Sequence, residues 1–171
     1  SPVEMYAESG MDLQRMQADP LPREAYGQAH QSMVIPCHDV FIEYQRGILL
    51  VKRDNLPAKD IFWPVGGRVE RGRSTEESLR RKVKAECNLE LENIEKIGTA
   101  RTFWATDPFN HGRGTDTINH VYYARGSGEL RLDQLHADSV VLTASEYTKQ
   151  FRAQLHPCAE DFLDKVMPKL Q

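Results

Sequence analysis

Residues 66–91 read GGRVERGRSTEESLRRKVKAECNLEL, and the organisation of the chain is best read outward from them. The stretch opens with Gly66 and Gly67 at the end of a short apolar run, 61–65. Two adjacent glycines allow close backbone approach and positive φ, so that carbonyls and amides can face a ligand or a metal. A loop of mixed charge follows. Ser74 with Glu77 three residues later forms a capping box, which predicts a helix over 74–87. Leu79, Val83 and Cys87 recur at i, i+4 and i+8 and give that helix an apolar stripe. Its N-terminal amides and positive dipole end are suited to phosphate.

Upstream, VIPCHDVFIEY (34–44) reads as a strand whose Pro36 confines its start to an edge or a bulge. A turn at Arg46 and Gly47 leads to a second strand, 48–53, then a polar loop and the short strand 61–65. Downstream, strands are expected at about 94–103, 117–125 and 139–144. Ala159, Phe162, Leu163, Val166, Met167 and Leu170 repeat at helical spacing in the tail. Residues 1–20 are polar and aperiodic, and 22–33 form a short helix with Pro22 in its first turn. Strands with one interior and one terminal helix predict an α/β (α+β) sandwich, with a mixed sheet between helices. The expected division is an N-terminal arm over 1–30 and one domain over 31–171.

A chain of 171 residues suits a single domain able to bury its own core. With a net charge of −3, no overall basic field argues for nucleic acid. Cys37, Cys87 and Cys158 are odd in number and far apart, so neither a disulfide framework nor a zinc site is expected. No apolar run approaches the ~20 residues of a membrane span, and the polar start does not resemble a signal peptide. The expectation is a cytoplasmic protein without membrane or nucleic-acid partners.

The 66–91 stretch resembles a Nudix box, G-x5-E-x7-R-E-U-x-E-E-x-G-U with U aliphatic. Counting from Gly67, Arg81 takes the consensus Arg, Val83 and Leu89 the aliphatic places, and Glu86 the last carboxylate. The remaining places depart: Arg73, Lys82 and Ala85 stand where carboxylates are expected, and Asn88 replaces the late glycine. Positions 82, 85 and 86 share one helix face. Hard cations need several oxygen ligands, so this face does not hold the multi-metal cluster of an ordinary Nudix enzyme. Read without the resemblance, Glu86 is the acid of an i,i+4 salt bridge with Lys82.

The degenerate box is similar to that of the nucleotide-sugar branch typified by GDP-mannose mannosyl hydrolases. That resemblance spans roughly 34–145 and implies one Mg²⁺ (or Mn²⁺) and attack at the sugar carbon instead of phosphorus. It implies Glu86 and the Gly66 carbonyl as metal ligands, with Arg81 orienting the carboxylate from behind. Arg53 and Arg68 would clamp the diphosphate, Asp39 would accept a substrate hydroxyl, and His136 would be the general base. The segment Gly114, Thr115, Asp116 and His120 also matches. Departures are Leu135 in place of a Gln before the catalytic His, with Gln134 one earlier, Val121 for a Tyr, and Thr106 nearest the place of a loop His that His111 could supply. Members of the branch are homodimers, which implies the same here. Two alternatives remain: a conventional pyrophosphohydrolase using Glu70, Glu76 or Glu77, and an inactive nucleotide-binding module.

Overall fold

The structure is a computed structural model that describes residues 3–134 and 136–170. Helix α1 (Arg23–Ser32) precedes β1 (Ile35–Tyr44) and β2 (Gly47–Arg53), then β3 (Phe62–Trp63) and β4 (Val65–Arg68). Helix α2 (Thr75–Cys87) leads into the long β5 (Glu90–Trp104) and β6 (Thr115–Ser127). Strand β7 (His136–Leu142), the short α3 (Lys149–Arg152) and α4 (Pro157–Val166) complete the fold. The sheet runs β3-β2-β1-β6-β5, with β4 on β1 and β7 on β2. Among the pairings of the described strands β1–β6 is parallel and the others are antiparallel, so the sheet is mixed.

Strand alternation divides the core into two layers, because successive side chains point to opposite faces. Val40, Ile42, Leu49 and Val51 pack with Leu79, Val83 and Cys87 of α2. Phe41, Ile48 and Leu50 pack with Ala159, Phe162, Leu163 and Val166 of α4. The expected sandwich is therefore present, with α2 on one face and α4 on the other. All three stripe residues of α2 are fully buried. Ser74 caps the helix by accepting from the Glu77 amide at 3.1 Å. Asn88 ends it at φ 62°, a left-handed conformation that Asn tolerates in place of glycine. Among the described residues no helix is long and apolar enough to cross a membrane.

Pro36 lies at the start of β1, opposite Ile118 of β6 on one side and with no paired strand on the other. Its carbonyl accepts from Val69, just beyond the last β1–β4 pair, Cys37 with Arg68. The missing N–H faces that same side, where pairing has ended, so the β6 ladder loses nothing. Helix α1 runs from Arg23 to Ser32, within the 22–33 span expected for it. It packs through Tyr26, whose ring meets Phe109 edge-on at 5.1 Å.

Candidate active site

A cavity of about 610 Å³ opens where β4 meets α2. It is walled by β1, β2, β5 and β6 and by Tyr26 and His30 of α1. Asp39, Arg53, Gly66, Arg68, Glu86 and His136 all border it, although they come from five separate elements. Strand β1 places Asp39 directly opposite Gly66 of β4. Neither Gly66 nor Gly67 adopts the positive φ that the sequence suggests; close approach explains them. A Cβ on Gly66 would stand 2.3 Å from Asp39 Oδ1, and one on Gly67 2.5 Å from Lys82 Cε.

Arg53 ends β2 opposite His136, after a slip in register between Lys52 and Arg53. Such irregularities re-aim side chains beside functional sites. The Arg53 Nε donates to Asn55 Oδ1 at 3.1 Å. The Arg68 guanidinium lies 4.2 Å from the centre of the Tyr26 ring, so α1 helps to hold it. Burial pushes the Asp39 carboxyl up to about 7, opposed by a hydrogen bond from Trp63 and by the Arg53 charge.

The His136 Nδ1 lies 2.7 Å from Asp133 Oδ1. A carboxylate accepts, so Nδ1 carries the proton and Nε2 keeps its lone pair. That lone pair stands 3.6 Å from Glu86 Oε2, too far for a hydrogen bond. Glu86 Oε2 is buried without a hydrogen-bond partner, while Oε1 takes the Lys82 ammonium at 3.0 Å. Burial raises the Glu86 carboxyl above its usual range, with Lys82 and His136 opposing the shift.

Other expected residues lie elsewhere. Arg81 does not touch the cavity; its Nε donates to Glu70 Oε1 at 3.2 Å and the side chain is half exposed. Asp116 pairs with Arg101 at 2.6 Å on the outer surface, and His120 does not border the cavity although Thr115 does. His111 turns toward α1, with Nε2 2.8 Å from His30 Nδ1. The carboxylates invoked for a conventional box are committed or distant: Glu70 is held by Arg73 and Arg81, and Glu77 by Arg73. Neither Glu76 nor Glu77 borders the cavity.

The sequence reading overlooked several contributors. His38, fully buried on β1, bonds Ser78 Oγ of α2 at 2.7 Å, and the same oxygen accepts from the Glu70 amide. This link sets α2 against β1 and the loop after β4. Burial lowers the His38 imidazole to about 4, so the link is neutral. Trp63 and Trp104 meet edge-on at 5.3 Å beside the cavity. Thr102, Thr117 and Asn119 form a buried hydrogen-bonded wall.

The NUDIX domain model matches residues 36–166. The chain belongs to the NUDIX domain family. Low-salt glycan biosynthesis protein Agl8 of Haloferax volcanii is 24% identical over 159 residues, covering 90% of this chain and 97% of that protein. A MutT NUDIX hydrolase from Burkholderia pseudomallei superposes with a TM-score of 0.63 at 20% identity, over 79% of this chain and 99% of the other. A bifunctional NMN adenylyltransferase/ADP ribose pyrophosphatase from Francisella tularensis, complexed with AMP and a Mn ion, has a TM-score of 0.60 at 16% identity. That match covers 86% of this chain and 45% of the larger protein. These structures share the NUDIX fold with the chain.

Nudix hydrolases generally use divalent metal ions. Among the described residues no group of three or more His, Cys, Asp and Glu side chains is placed to hold one, so the multi-metal arrangement does not fit this NUDIX domain. The partnerless Glu86 Oε2 lies 3.6 Å from His136 Nε2, and a buried acceptor of this kind suits a donor or a positive charge.

Proposed function

We propose that this Nudix domain hydrolyses a nucleotide sugar, an NDP-hexose of the GDP-mannose kind, to a nucleoside diphosphate and the free sugar. The observation carrying this reading is the His136 imidazole, oriented by Asp133 and standing 3.6 Å from Glu86, in one cavity with Arg53 and Arg68. A phosphorus-attacking Nudix site needs a cluster of carboxylates on α2, whereas Lys82 and Ala85 stand at two of those places. The name of the Haloferax relative, a glycan biosynthesis protein, agrees with sugar chemistry.

In this reading Arg53 and Arg68 hold the diphosphate by bidentate contacts. Asp39, whose carboxyl burial raises to about 7, can accept from a sugar hydroxyl when ionised and donate to it when protonated. His136 Nε2 takes a proton from water, whose oxygen bonds to the anomeric carbon opposite the diphosphate. The carbon–oxygen bond breaks, its electron pair leaves with the nucleoside diphosphate, and the anomeric centre inverts. Glu86 and the Gly66 carbonyl would hold the divalent ion, Mg²⁺ or Mn²⁺. When bound, that ion neutralises charge growing on the leaving diphosphate.

The test is a screen of NDP-hexoses with Mg²⁺ or Mn²⁺ in ¹⁸O-labelled water, with products separated by chromatography. Label in the free sugar beside unlabelled nucleoside diphosphate is the expected result. Nucleoside monophosphate with label in a phosphate would restore a conventional pyrophosphohydrolase. Tight binding with no product would make the chain an inactive binding module.

A further inference from the structure

Position 82 carries a carboxylate in the Nudix consensus, and here it carries a cation aimed into the site. The Lys82 ammonium lies 3.0 Å from Glu86 Oε1, and the two side chains are 37% and 7% exposed. Its stem crosses Gly67, where the absence of a Cβ leaves the room it needs. Lys82 borders the cavity together with Arg53 and Arg68. A surface i,i+4 pair has none of these features: its acid is solvated and its stem lies on its own helix.

Charge counting gives the arrangement a consequence. An ordinary Nudix helix face, rich in carboxylates, repels a diphosphate until metal ions bind. Here three cations, Arg53, Arg68 and Lys82, oppose two acids, Glu86 and Asp39, that line the same cavity, while Glu70 at the rim is held by Arg73 and Arg81. The site is therefore positive before any metal arrives. An ammonium has three donors, and Glu86 uses one, leaving others for phosphate oxygens.

We infer that Lys82 is the resident cation of this site: it neutralises Glu86 in the free protein and binds the substrate diphosphate without a metal ion. The inference rests on the nucleotide-sugar reading only for the identity of the full substrate. A divalent ion can join only by sharing Glu86 with the ammonium, so Lys82 also weakens metal binding. Lys82 is thus a diphosphate-binding residue and a brake on metal affinity.

The experiment titrates inorganic pyrophosphate into the wild type, Lys82→Gln and Lys82→Arg by calorimetry, in EDTA and then in Mg²⁺. Free Mn²⁺ is followed separately by its paramagnetic resonance signal, and thermal melts verify folding. The wild type should bind pyrophosphate in EDTA. Lys82→Gln should bind it roughly 10- to 100-fold more weakly and bind Mn²⁺ more tightly. Lys82→Arg, which keeps the charge, should retain binding in EDTA even if Lys82→Gln folds poorly. Wild-type binding that requires Mg²⁺, or equal binding by Lys82→Gln in EDTA, would overturn the inference. Metal-free pyrophosphate binding without cleavage of any NDP-hexose would sink the substrate reading and leave Lys82 in its role. Cleavage at carbon with an unaltered Lys82→Gln would do the reverse.

Discussion

At the start of α2, Arg73 meets Glu77 at 2.7 Å; two turns later, Lys82 meets Glu86 at 3.0 Å. The spacing is i,i+4 in both and the charges are the same, yet their surroundings differ. Glu77 is 52% exposed and Glu86 is 7% exposed. Glu77 would keep its hydration if Arg73 were lost. Glu86 has little water to fall back on, since its second oxygen already lacks a partner. Ion pairs of one sequence pattern can therefore be incidental at one end of a helix and central at the other. What separates them is their surroundings: the Lys82 stem crosses Gly67 of β4 and Glu86 stands 3.6 Å from His136 of β7, whereas Glu77 does not border the cavity.

The largest expected effect lies at the buried end. If Glu86 and His136 share one reaction site, His136→Gln should lower kcat by roughly 10²–10⁴, with a smaller change in KM. Glu77→Gln, at a residue that does not border the cavity, should leave kcat near wild type. Steady-state kinetics would decide it, and equal kcat in His136→Gln would remove His136 from the chemistry.

The same contrast explains which features were legible in the sequence. Helix α2 was readable because its cap, stripe and terminator are all local, from Ser74 through Leu79 and Val83 to Asn88. Arg53, Gly66, Arg68, Glu86 and His136 were legible through their places in the degenerate box and its flanking segments, and all border one cavity. The His38–Ser78 bond was not, because it joins residues 40 apart and strand alternation says nothing about a fixed polar partner. The roof of the cavity was also hidden. Helix α1 reads as a short helix with no assigned place, and only the fold brings Tyr26 against Arg68 and Phe109. The place of Arg81 in the box implies service to Glu86, while its guanidinium pairs with Glu70 in the structure. Lys82 was legible as a salt-bridge partner, yet its position beside two arginines depends on how β4 lies under the helix.

Burial also makes a second acid a test of the closed region. The Asp39 carboxyl is pushed from its ordinary 3.8 to about 7 by burial. The folded state therefore keeps its proton over a pH range where the unfolded chain has lost it. Below about pH 4 both states are protonated and Asp39 exacts no penalty. As pH rises from about 4 to 7 the folded state loses stability relative to the unfolded chain. Asp39→Asn does not titrate, so its stability relative to wild type should improve across that window. The gain is at most about 4 kcal/mol, each tenfold in acidity being worth about 1.4 kcal/mol. Denaturant melts at pH 4.5, 6 and 8 measure it; a difference that does not vary with pH would mean that Asp39 ionises freely in the cavity.

The smallest effect divides the two pairs most directly. Lys82→Met leaves the Glu86 charge buried without its ammonium, a loss of about 3–5 kcal/mol for a fully buried pair. The 37% exposure of Lys82 reduces this to about 1–3 kcal/mol. Glu86 limits the damage by taking a proton, since burial already raises its carboxyl and loss of Lys82 raises it further. A carboxyl raised in the folded state is penalised above its unfolded value and spared below it. The destabilisation by Lys82→Met should therefore be larger at pH 8 than at pH 5. Arg73→Met breaks the exposed pairs to Glu70 and Glu77 and should cost within about 0.5–1 kcal/mol. That loss should be nearly flat over the same pH range and should fade in 1 M salt, where the screening length is about 3 Å. If the two variants lost equal stability with the same dependence on pH and salt, the difference in burial would have no energetic meaning. Glu86 would then be as well hydrated as Glu77.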